Sequence, residues 1–126
     1  MRVAVLCNTA EEGEFLREDI AYADDAIANA QRIARTFDSC GHRAETIMVR
    51  RATLEKQLLQ LKGRIDVVFN LTESVGLGLV LRVIKKLEEF NIPYAGANYH
   101  GHLLTSNKLR MKRVLVAHNI PTPTFK

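Results

Sequence analysis

Tryptophan is missing from this chain, cysteine occurs twice and proline three times in 126 residues, and each scarcity excludes something. Two cysteines, Cys7 in a predicted strand and Cys40 at a predicted helix end, make no disulfide framework. They fit a reducing compartment and are expected as two packed thiols. No apolar run approaches the roughly 18 to 20 residues that span a bilayer, and Met1-Arg2 leads straight into a strand. The expectation is a cytoplasmic protein with no membrane segment and no signal peptide. Aromatic residues are 6% of the chain, and none interleaves with the basic run Lys108, Arg110, Lys112 and Arg113. The net charge of +4 is therefore concentrated on one predicted helix that lacks a stacking surface, which argues against nucleic acid. The four histidines do not make a metal site. His100-Gly101-His102 has no neighbouring cysteine or acid to complete a set of three or four ligands.

What is present reads as an ordinary globular domain, 47% hydrophobic and 25% charged, of a size that buries one core. The organising stretch is Asp66 to Gly96. Val67-Val68-Phe69-Asn70-Leu71 is short, rich in β-branched residues and closed by polar ones, as a buried parallel strand is. A polar loop, Thr72 to Gly78, follows. The helix to Phe90 then carries Val80, Val83, Ile84 and Leu87 on one stripe, and Ile92 to Ala95 is the returning strand. In an open parallel sheet, ligands sit beyond the carboxyl ends of the strands. That singles out Asn70 to Gly78, with Gly76 and Gly78 allowing close approach of backbone to ligand.

Upstream, Val3 to Cys7 predicts a central strand, and Ala10 to Glu18 an exposed, mobile loop. A long helix follows from Ile20, with Ile20, Ala23, Ile27, Ala30, Ala34 and Phe37 on its buried side. Asp19 is its predicted N-cap, Asp24 and Asp25 favour its dipole, and Gly41 permits its left-handed end, with His42 beside the C-terminal dipole. Ala44 to Val49 is a second strand, and Thr53 is expected to cap a short helix that buries Leu54, Leu58 and Leu61. Strands and helices alternate, so the fold class is α/β: a three-layer open parallel sheet of about four strands with helices on both faces, Rossmann-like. A helical turn from Tyr99 to Leu104 and a helix from Asn107 to Asn119 come next. Pro121 and Pro123 then hold an extended connector. The expected division is 1–118 as the domain and 119–126 as the connector.

With these residues placed, the chain resembles the amino-terminal, pre-ATP-grasp domain of the D-alanine–D-alanine ligase-like carboxylate-amine ligases. The resemblance is carried in order by Gly41-His42, Val68-Phe69-Asn70-Leu71-Thr72-Glu73, Ile92-Pro93-Tyr94-Ala95-Gly96, Asn107-Lys108 with Lys112, and Ile120-Pro121-Thr122-Pro123-Thr124-Phe125. It runs over the whole chain but over about the first third of such an enzyme. It implies an ATP-dependent ligase whose metal-binding carboxylates and most ATP contacts lie in ATP-grasp domains beyond this sequence. ATP and Mg2+ are thus expected only in the full-length enzyme, and this part is expected to be inactive alone. It also implies that Lys108 reaches the ATP phosphates as a mobile point charge, and that Asn70, Thr72, Glu73 and Ser74 bind substrate, a small carboxylate or amino acid.

Three positions depart from the ligase pattern. Asn8-Thr9 stands for a Gly-Gly pair, Thr72-Glu73 for a His-Gly pair, and Asn107 for an aspartate. They leave the substrate open, the choice among Glu11, Glu12 and Glu14 as the substrate-facing acid unmade, and the catalytic residues unassigned. The other reading is a free-standing Rossmann-like module that binds a small ligand or a protein. A homodimer is a further expectation.

Overall fold

The computed structural model describes residues 1–16 and 20–125, and in the helix that starts at Ile20 it describes side chains from Asp25 onward. The chain divides into two compact units, Met1–Gly96 and Ala97–Lys126.

The first unit is built on β1 (Arg2–Cys7), whose apolar run leaves Val3 through Cys7 with no exposed surface. Alternate side chains of a strand point to opposite faces, so β1 serves two layers. Val3, Val5 and Cys7 meet Ala30 and Ala34 of α2 (Ile20–Ser39). Ala4 and Leu6 meet Leu54, Leu58 and Leu61 of α3 (Leu54–Leu61) and Leu79, Val83 and Leu87 of α4 (Gly78–Glu89). Each fully buried leucine in that layer contributes about 1.5–3 kcal/mol relative to exposure. β2 (Arg43–Met48), β3 (Val67–Asn70) and β4 (Tyr94–Ala95) complete an all-parallel sheet in the order β2-β1-β3-β4. This is the three-layer, Rossmann-like α/β architecture read from the alternation of patterns.

The stripe expected on α4 is buried in full, together with Leu79. On α2 the stripe holds at Ala30 and Ala34, and Ile27, Ile33 and Phe37 pack around them. Asp19 and the side chains of Ile20, Ala23 and Asp24 lie outside the described residues. Gly41 has φ 81° and ends α2 as expected. His42 follows it, with Nδ1 3.4 Å from the amino-terminal ammonium. β4 is shorter than the predicted strand for a local reason. Ile92 N–H closes the end of α4 on Leu87 O, and Pro93, which has no N–H, contributes only its carbonyl, to Val68 N–H. At the amino edge, Arg2 grips Asp66 through its backbone N–H and its guanidinium. That hydrogen bonding holds the Asp66 carboxyl below its ordinary range.

Three expectations are corrected. Ala10 to Gly13 is a helical turn, α1 (Ala10–Gly13), and not a loop; Thr9 caps it by accepting from Glu12 N–H, and Gly13 is buried. Its side chains show no stripe because Arg51 holds it from outside, as described below. Thr53 precedes α3 but does not cap it. Gln57 takes over there, accepting from Arg50 N–H and donating to Met48 O. Cys40 is exposed, so only Cys7 is a packed thiol; burial pushes the Cys7 thiol up from its usual range.

Tyr94 shows what β4 does to a side chain. Its hydroxyl donates to Glu88 Oε1 at 2.7 Å, and desolvation together with that carboxylate raises its pKa to about 12. Because the folded value exceeds the unfolded value of about 10, this contribution to stability is complete below the unfolded pKa and is lost as pH rises through the folded one. Tyrosinate absorbance should therefore show one late-titrating phenol that disappears in Tyr94→Phe. A wild-type titration with every phenol near its ordinary pKa would refute the assignment.

The second unit holds α5 (Tyr99–Ser106), capped by Asn98 on Gly101 N–H, and α6 (Lys108–Ala117), capped by Asn107 on Arg110 N–H. Residues 120–125 run without helix or strand. Lys112 anchors them, donating to Pro123 O at 3.3 Å with its ammonium 5.4 Å from the Phe125 ring centre.

Candidate functional site

At the carboxyl edge of the sheet, β1 and β3 release the chain into two loops that a single side chain joins. Asn8, only 4% exposed, accepts from Glu73 N–H at 2.8 Å and donates to Glu73 O at 3.0 Å and Thr9 O at 2.9 Å. An amide is the side chain that satisfies both a backbone donor and a backbone acceptor here. The departure from Gly-Gly at Asn8 thus has a structural role: it pins the loop that holds the candidate residues.

That loop is internally bonded. Asn70 Oδ1 accepts from Thr72 N–H and from Thr72 Oγ1 at 2.8 Å, and Thr72 is buried. Ser74 Oγ accepts from Leu79 N–H at 3.0 Å, in the first turn of α4. Between them Gly76 and Leu77 both adopt φ 64°, a conformation that glycine takes freely and leucine does not. Of the four residues assigned to substrate, Asn70, Thr72 and Ser74 use their side chains to shape the loop. Among the described residues, Glu73 is the one of the four that borders a concavity, of about 310 Å³, shared with Leu71 and with Asp25, Asn29 and Ile33 of α2.

α1 presses on this loop. A Cβ built on Gly13 would stand 2.8 Å from Glu73 O. Its outer side is held by Arg51, in the helical turn Arg51–Thr53. Arg51 Nε donates to Glu12 O at 2.6 Å and its backbone N–H to Glu12 Oε2 at 2.7 Å, while Nη1 lies 3.2 Å from Glu14 Oε1. Two of the three glutamates left open by the sequence are thereby tied to Arg51. Glu11 is exposed and borders a second concavity, of about 270 Å³, with Thr9, Met48 and Arg50. Sequence reasoning marked Asn8 only as a departure from a Gly-Gly pair and gave Gly13 and Arg51 no role. For Asn8 the available signal was a polar residue directly after a fully apolar strand; for Gly13 and Arg51, whose contacts span a long stretch of sequence, there was none.

Lys108 is in the second unit, as the first residue of α6. It is exposed and makes no ion pair among the described residues. The first turn of α6 has no acid, so its cations oppose the helix dipole. Among the described residues no three His, Cys, Asp or Glu side chains are grouped to hold a metal, and no helix is long and apolar enough to cross a membrane.

No protein-family model matches the chain. It is 30% identical over 138 residues to an uncharacterized protein of Sinorhizobium fredii, covering 99% of this chain and 40% of that protein. It is also 30% identical over 100 residues to a D-alanine–D-alanine ligase of Coprothermobacter proteolyticus, covering 79% of this chain and 32% of the ligase. The chain therefore spans less than half the length of either relative, and through 79% of its own length it is similar to one part of a D-alanine–D-alanine ligase.

Proposed function

We propose that the chain is the amino-terminal, substrate-side domain of an ATP-dependent carboxylate-amine ligase, incompetent without ATP-grasp domains that supply the metal-binding carboxylates and most ATP contacts. The similarity to a D-alanine–D-alanine ligase over 100 residues is the observation that carries this reading. The cytoplasm is the proposed compartment, and a small carboxylate or amino acid the substrate.

In this reaction ATP phosphorylates a carboxylate and an amine attacks the acyl phosphate, so the domains together must orient two substrates and hold charge. Within this chain Glu73 is the substrate-facing group, offering a carboxylate to an ammonium or hydroxyl. Asn70, Thr72 and Ser74 fix the loop that presents it. Lys108 would meet the ATP phosphates, which accounts for an unpaired cation against the dipole of its own helix. ATP and Mg2+ would bind only in the complete enzyme.

Sequencing the coding DNA past the Lys126 codon tests the reading most directly. An in-frame ATP-grasp domain supports it, and a stop codon there sinks it. In the longer protein Lys108→Met should raise the Michaelis constant for ATP or lower turnover, whereas Arg113→Gln should leave kinetics near wild type. Equal, small effects from both would remove Lys108 from the site. Lys112 is unsuitable as the control because its loss would free the segment it anchors.

A further inference from the structure

Beyond the loop already described, the carboxyl edge of the sheet has another concavity, of about 400 Å³, between the start of α3 and α4. Three of its lining residues are cations, Arg51, Lys56 and Arg82. Lys56 and Arg82 are exposed and have no partner among the described residues. The one acid on the rim, Glu55, is taken by Lys86 at 2.9 Å. Arg51 is bound along one side by Glu12 and Glu14, while its Nη2 is buried and has no hydrogen-bond partner among the described residues. That atom has no surface open to a ligand, so Arg51 bears on the concavity as a nearby charge and not as a free donor. The same concavity is bordered by Ala52, Thr53 and Leu54, where the helical turn Arg51–Thr53 runs into α3 and Thr53 supplies no side-chain cap.

We propose that this concavity binds a phosphate group, either free phosphate or the phosphate of a small phosphorylated compound. The concavity at the opposite, amino edge also has three arginines, Arg2, Arg43 and Arg64. There Arg2 is paired with Asp66 at 2.7 Å and Arg64 with Glu45 at 3.7 Å, which leaves Arg43 alone without an ion pair among the described residues, whereas the proposed site keeps two such cations, Lys56 and Arg82, beside the paired Arg51. The proposal stands on this cluster alone and is independent of the ligase reading.

Titrating the 15N-labelled protein with inorganic phosphate, and separately with glycerol phosphate, at ionic strength held constant with chloride, tests it. The expected result is saturable movement of the Ala52, Glu55 and Lys56 amide signals. Each of R82Q and K56Q, both surface changes that preserve the fold, should weaken binding by about five-fold, as losing one charge-assisted contact does. R43Q at the other edge should not. Tighter binding of glycerol phosphate would identify a phosphorylated compound as the ligand, and equal binding would identify phosphate itself. Movement that grows without saturation, or binding unaltered in both R82Q and K56Q, would overturn the proposal.

Discussion

Asn8→Ala is expected to lower the unfolding free energy by about 2–3 kcal/mol, because it takes the partner from the part-buried N–H and carbonyl of Glu73 at once. In urea the midpoint should fall while the slope stays unchanged, the sign of a lost native interaction. Asn8→Asp separates the two halves of the contact. Its carboxylate still accepts from Glu73 N–H but faces the Glu73 and Thr9 carbonyls as a charge, so folding favours its protonated form. A carboxyl whose folded pKa is raised above about 4 gains relative stability as pH falls. The deficit of this variant against wild type should therefore shrink with acid. A loss of less than about 0.5 kcal/mol in Asn8→Ala would show that water replaces the amide there.

Gly13→Val should be the other severe change, costing about 1–3 kcal/mol through overpacking. A Cβ at this position meets the Phe15 ring and, at 2.8 Å, Glu73 O. The ring can rotate away. The carbonyl can move only if the Asn8 bridge moves too, since Asn8 Nδ2 donates to that same oxygen. The Asn8→Ala, Gly13→Val double variant should consequently lose less than the sum of the two single losses. Full additivity in urea unfolding would show that the two contacts are not coupled through Glu73.

The parts of this fold that were legible in the sequence are those set by periodic burial. The run from Val3 to Cys7, the stripe Val80, Val83, Ile84, Leu87 and the trio Leu54, Leu58, Leu61 each report a local pattern that the core then satisfies. Gly41 was legible because a left-handed helix end favours glycine. The α1 turn was not legible, since a four-residue helix held by Thr9 and by a distant arginine has no room for a stripe. Thr53 misled because capping depends on side-chain geometry as well as residue type, and Gln57 supplies the nearby bonds. At the candidate site the sequence located the Asn70 to Ser74 loop. It could not divide that loop into residues that shape it and the one that faces open space, a distinction made by hydrogen bonds to Asn8 and Leu79.

β1 gives its odd residues to one core and its even residues to the other. Its tolerance to change is therefore one of phase more than of identity. Exchanging one small apolar residue for another at Val3 or Val5 alters a single layer by a methyl group or so. Losing one codon anywhere between Val3 and Cys7 would shift every later residue of the strand to the wrong face and carry Asn8 away from Glu73. Genetic drift can rewrite the letters of this strand, while its length is held fixed by two cores and one bridging amide together.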